Sequence, residues 1–227
     1  MNILIVIGNL HVGGIQTYMV RLANKLSNEN RVRLLILSRK YDKNLMSQLD
    51  ERVQVNFLGD YFYFGQKSFL SKFFFLSQFM VVNKIKLREC LVSDVVLAVD
   101  SEVSITAMEI ATMLNAKLNL SSFHPREFTW SVNSYFRNVQ LELLKRLPKQ
   151  NITFMTESVK FENNESGIFN GCPVVDLGID LEPYLNCTPN FYSNRIVSVG
   201  RLVDFKTYNR VIIMNLDLIN ELTGRQF

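Results

Sequence analysis

Residues 1–26, MNILIVIGNLHVGGIQTYMVRLANKL, decide how the rest of the chain is read. The run 2–7, NILIVI, is short, rich in β-branched residues and apolar after its first position. That is the pattern of a strand covered on both faces. Gly8, Gly13 and Gly14 interrupt it. Ile15, Met19, Leu22, Ala23 and Leu26 then recur at i, i+4, i+7, i+8 and i+11, which lays one apolar stripe along an amphipathic helix. The stretch is therefore the first strand–turn–helix unit of an open α/β sheet.

The same alternation continues outward from it. Runs at 31–37, 53–58, 94–99, 117–123 and 151–155 read as further strands. Ile105, Met108, Ile110 and Met113 suggest a helix with Ser101 as its cap, and Val139, Leu143, Leu144 and Leu147 another that Pro148 stops. Apolar strands alternating with helices predict a doubly wound, mostly parallel, Rossmann-like α/β sheet. The stretch 164–193 is richer in Gly, Pro and Asn, after which RIVSVG (195–200) starts a fresh strand and 208–222 a helical segment. We expect a first domain over 1–176, a hinge over 177–193, and the first β–α unit of an incomplete second Rossmann-like domain over 194–227. One such unit cannot bury its own faces. Val197, Val199, Val211 and Ile212 are thus expected to pack back on the first domain or to drive self-association.

Composition narrows the classes of function. A net charge of +4 is too small to argue for a nucleic-acid partner. Cys90, Cys172 and Cys187 are widely separated and odd in number, so they form neither a disulfide framework nor a metal-type spacing, and a reducing cytoplasm is the expected setting. The opening MNILIVIGN lacks the basic n-region of a signal peptide. No apolar window reaches the ~18 residues of a membrane span.

The glycine turn has two readings, and spacing alone leaves both open. In the first, Gly13 and Gly14 make a tight strand-to-helix connection only. Alternatively, they let an anion approach the unpaired N–H groups and positive dipole end of a helix without interference from a β-carbon. Two familiar alternatives are disfavoured. The pattern is not G-x-G-x-x-G, and Leu37, Ser38 and Arg39 stand where a dinucleotide fold closes its second strand with an acid. Ile15 and Gln16 follow the second glycine where a P-loop has Lys and Ser or Thr.

Three patches, in order, resemble the retaining family 4 glycosyltransferases of GT-B fold. GGIQTYMVRLANKL (13–26) resembles their first-helix signature, Gly-Gly-x-Glu, with Gln16 in place of the Glu. LGIDLEPYL (177–185) is similar to their Asn-Gly-Ile-Asp hinge, with Leu177 where Asn is commoner. RIVSVGRLVDFKTYNRVI (195–212) resembles the opening of their donor domain, Val-Gly-Arg-Leu-x-x-x-Lys-Gly, with Thr207 in place of the last Gly. The resemblance implies a nucleotide-sugar substrate such as a UDP- or GDP-sugar, transfer without a metal or other cofactor, and a glycan or lipid-linked acceptor in surface-polysaccharide biosynthesis. It implies that Gly13, Gly14, Arg201 and Lys206 hold the donor diphosphate. It further implies that His124, in SSFHPREF (121–128), joins Arg201 and Lys206 at the reacting centre, with Gln16, Thr17 and Arg126 on the acceptor side. A planar guanidinium and an ammonium point charge suit the charge left on a departing phosphate.

The family's donor-domain Glu motif has no counterpart after Lys206, because Asp217 and Glu221 fall within the next helical segment. The expectation is an acceptor-side portion that is C-terminally truncated and inactive by itself. The alternative is a non-catalytic Rossmann-like module that binds a glycan or a partner protein. One segment stands apart from both. YFYFGQKSFLSKFFFLSQFMVVNKIKLR (61–88) interleaves aromatic residues with five cations and contains no acid. Phe69, Leu70, Phe73, Leu76 and Met80 share a helical stripe that fits a helix covering the sheet. Tyr61, Phe62, Phe64, Lys67 and Lys72 are candidates for peripheral contact with an anionic membrane at the inner face of the cell membrane.

Overall fold

The computed structural model describes residues 1–38, 41–58, 91–99, 101–123, 134–164, 167–175 and 178, with the backbone alone for 101–102 and 134–139. All belong to the compact unit Met1–Gly178. The aromatic segment 61–88, the hinge apart from Gly178, and the second β–α unit lie outside the described residues.

Six strands form one sheet: β1 (Asn2–Ile7), β2 (Arg31–Ile36), β3 (Gln54–Phe57), β4 (Val95–Val99), β5 (Lys117–Ser122) and β6 (Ile152–Phe154). Their order is β3-β2-β1-β4-β5-β6, and every pairing is parallel. The Rossmann-like α/β sheet expected from the sequence is therefore present, with β1 at its centre. Register is fixed at the amino ends by Asp94, whose carboxylate accepts from the Asn2 backbone N–H at 2.6 Å. Beyond β6 the chain adds one more parallel bridge, Phe154 to Val174, within the apolar run noted at 173–175.

Alternation along the strands sorts the core onto two faces. Leu4 and Val6 of β1, with Val96 and Ala98 of β4, pack under α3 (Ser101–Leu114) and α4 (Ser134–Lys145). Ile3, Ile5 and Ile7 turn the other way, toward Met19, Val20 and Ala23 of α1 (Gly14–Leu26). Every residue of β1 after Asn2 is buried, which is why its sequence shows no polar face. Each such aliphatic side chain contributes roughly 1.5–3 kcal/mol. Ser101 is the first residue of α3 rather than the residue before it, so the expected cap is displaced into the helix.

Two short helices show no apolar period in the sequence: α2 (Lys43–Met46) and α5 (Glu157–Asn163). Both are held by side-chain caps. Asp42 accepts from the Leu45 N–H at 2.9 Å, and Thr156 from the Val159 N–H at 3.1 Å. Removing the second cap with Thr156→Ala is expected to cost about 1 kcal/mol. A urea denaturation curve superimposable on the parent's would show that this cap contributes nothing.

On α3, Glu109 is half-buried and its Oε2 makes no hydrogen bond. Burial pushes its carboxyl above the usual range. The folded protein therefore binds this proton more tightly than the unfolded chain, and the burial penalty is present at neutral pH and relieved as pH falls through the raised value. Glu109→Gln should raise Tm at pH 8 and leave it unchanged at pH 4. An equal gain at both pH values would contradict the assignment.

Candidate functional site

In an open parallel sheet, ligands gather beyond the carboxyl ends of the strands, where the strand order reverses. Here that point lies between β1 and β4, and the Gly8–Gly14 loop leaves it. The loop is tied down on one side by the segment that follows β2: Ser38 N–H donates to the Gly8 carbonyl at 2.9 Å and Asp42 N–H to the Leu10 carbonyl at 2.8 Å. Within the loop, Asn9 Oδ1 accepts from the His11 N–H at 3.2 Å.

Gly13 is the residue before α1, in an extended conformation (φ −173°, ψ 161°) that any residue adopts. The first rung of the helix is Thr17 N–H to the Gly13 carbonyl, 2.9 Å. The N–H groups of Gly14, Ile15 and Gln16 precede that rung, and no acidic side chain stands in the first turn to occupy them. The Gln16 amide folds back over Gly13, whose added β-carbon would stand 2.5 Å from Oε1. Gly14 differs from its neighbour. A β-carbon there would meet nothing within 4 Å, so its absence leaves the helix end open to solvent. Beneath the turn is a cavity of about 20 Å³ bounded by Gly8, Asn9, Gln16 and, from β4 and α3, Val99 and Val103. That is room for about one water, so a larger ligand would rest over the glycines rather than under them.

Four of the residues singled out from sequence, Gly13, Gly14, Gln16 and Thr17, thus meet at one helix end. The others do not enter this description: His124, Arg126, Arg201 and Lys206, with Tyr61, Phe62, Phe64, Lys67 and Lys72, lie outside the described residues. Among the described residues no group of three His, Cys, Asp or Glu side chains could hold a metal ion, and no helix is long and apolar enough to cross a membrane.

No family model and no curated protein matches the sequence. Among solved structures, the chain resembles HepE from Anabaena, determined in complex with UDP and glucose. The TM-score is 0.55 at 12% identity, over 80% of this chain and 46% of that one. The same protein in complex with UDP-glucose gives 0.53 at 13% identity, over 81% and 46%. The likeness is one of fold. The lipopolysaccharide outer core galactosyltransferase WaaB, in its apo form, scores 0.47 at 14% identity, over 77% of this chain and 45% of that one. The chain spans a little under half the length of each of these proteins.

One feature has only a weak sequence signal. A second cavity, about 220 Å³, opens on the α1 face of the sheet over β5 and β6, with Asn119, Ser121 and Thr153 among its lining residues. Along the strand KLNLSS only alternate residues, Leu118, Leu120 and Ser122, are buried. Its period-two alternation of polar and apolar residues was the available signal.

Proposed function

We infer that this chain is the acceptor-side portion of a glycosyltransferase that takes its sugar from a nucleoside diphosphate. The observation that carries the reading is the open first turn of α1 at the carboxyl end of a central parallel strand, with Gly14 lacking any β-carbon neighbour. A diphosphate brings charged oxygens that backbone N–H groups and the helix dipole hold without reorganisation. A carboxylate in the first turn would compete for the same donors. Gln16 supplies an uncharged amide instead.

Likeness of fold to HepE, whose structures contain UDP with glucose or UDP-glucose, supports a uridine diphosphate sugar as donor. In this reading Gly13 and Gly14 cradle the diphosphate and Arg201 and Lys206 add positive charge to it. His124 contacts the sugar at the reacting centre, while Gln16, Thr17 and Arg126 face the acceptor. The finer parts of the proposal are family 4 membership, a retaining, metal-independent reaction, and surface-polysaccharide synthesis at the inner face of the cell membrane. They rest on the three sequence patches and on the aromatic–basic segment 61–88.

Phosphorus NMR of UDP titrated with the 227-residue chain tests the reading. The β-phosphorus resonance is expected to shift in a saturable way, and excess EDTA should leave the shift in place. A spectrum that does not change on addition of protein would sink the proposal. A shift that EDTA abolishes would remove its metal-independent part.

A further inference from the structure

The cavity over β5 and β6 has a polar floor where the rest of that sheet face is apolar. Ile3, Ile5 and Ile7 of β1 and Val99 of β4 belong to the α1 side. On β5 and β6, the next strands beyond β4, Asn119, Ser121 and Thr153 take their places. These side chains are linked to one another. Ser121 Oγ and Thr153 Oγ1 lie 2.9 Å apart, and Ser121 donates to Asn119 Oδ1 at 3.1 Å. Thr153 Oγ1 is 3.4 Å from the same Oδ1. The amide oxygen is thus engaged, while the two N–H groups of Asn119 donate to no protein atom among the described residues. Over this floor stand Tyr18 and Leu22 of α1 and Phe123 just past β5. The Tyr18 and Phe123 rings are 5.7 Å apart and tilted by 55°. No charged side chain is among the described lining residues.

A helix-covered parallel sheet normally presents an apolar face. A row of amide and hydroxyl groups there costs desolvation unless something polar meets it. With no countercharge among the described lining residues, an ionic ligand would lose more in desolvation than these neutral groups return. The complementary ligand is neutral, with hydrogen-bonding groups along one edge and a C–H face for the aromatic pair. We propose that this cavity binds an uncharged pyranose ring, its hydroxyls on Asn119, Ser121 and Thr153 and its C–H face against Tyr18 and Phe123. Val99 lines both this cavity and the small one beneath the glycine turn, so the ring lies next to the anion cradle across the end of β4. Its role as part of the acceptor glycan rests on the transferase reading; the binding itself does not.

Saturation-transfer NMR on the 227-residue chain tests the assignment, with the methyl pyranosides of glucose, galactose and mannose as probes and uridine as the competing neutral ring. At least one pyranoside should receive saturation. Asn119→Ala and Thr153→Val should each weaken that signal about fivefold or more, with the UDP phosphorus shift unchanged. Thr153→Val keeps side-chain volume, so it decides the matter if Asn119→Ala unfolds. The proposal is overturned if none of the three pyranosides responds, if both variants retain the full signal, or if uridine alone responds. Pyranoside binding without any UDP shift would refute the diphosphate cradle and leave this pocket standing.

Discussion

Gly14→Ala is expected to remove most of the UDP response while leaving the fold as stable as before, or more so. The residue is in the first turn of α1, exposed, and a β-carbon placed on it touches no protein atom. Replacing a helical glycine by alanine at a compatible site stabilises by about 0.4–1 kcal/mol. The space the new methyl enters is the space a phosphate must use to reach the N–H groups of Gly14 and Ile15. A loss of affinity of roughly tenfold or more is the expected cost of keeping an anion one carbon away from its donors. Gly13→Ala is the less informative change, because the Gln16 amide can swing away from the new carbon. Undiminished UDP binding in a stable Gly14→Ala protein would return the glycine pair to a simple turn.

The largest effect on stability is expected at Phe154. Its ring is 1% exposed and meets Phe169 edge to face, centroids 5.3 Å apart at 68°. Phe154→Ala removes that pair and opens a cavity at the edge strand, next to the backbone bridge that Phe154 makes with Val174. The cost should be about 3–5 kcal/mol, roughly a fifth or more of the ~5–15 kcal/mol that holds a typical domain together. For a chain of this length that lowers Tm by roughly 6–20 °C. Phe161, on α5, supplies the control: it is 82% exposed, and its replacement by alanine should change stability by about 0.5 kcal/mol or less. Thermal melts in which the two variants behave alike would contradict the placement of β6.

The fold was legible because the strands that matter most are apolar on both faces. NILIVI at 2–7 coincides with β1, and DVVLAV at 94–99 overshoots β4 by one residue. Amphipathic helices of three turns or more, such as α1, were equally clear, since a stripe needs about that length to repeat. The short helices carried no such record. In α5 the apolar Phe161 points to solvent, and Asn163 is the buried residue. What marked this helix was Thr156 followed by Glu157, a cap and a first-turn acid rather than a period. The glycine turn was legible as a pattern but not as a surface. Only the folded structure shows that the Gln16 side chain shields Gly13 while Gly14 is open. The polar floor was missed for a different reason. Asn119, Ser121 and Thr153 come from two strands, and their row exists only through the pairing of Ser121 with Thr153.

The order β3-β2-β1-β4-β5-β6 also has a consequence during biosynthesis. β1 is made before either of its neighbours yet lies between them in the sheet, and it receives those two neighbours at very different times. β2 begins at Arg31, but β4 begins only at Val95. Between those events the nascent chain can close one side of β1, while the other presents an unpaired apolar strand edge to solvent. At synthesis rates of ~5–20 residues per second that interval lasts on the order of ten seconds. An exposed edge of this kind is a template for pairing with other chains. Nascent chains stalled between residues 60 and 95 should therefore be those most strongly held by chaperones.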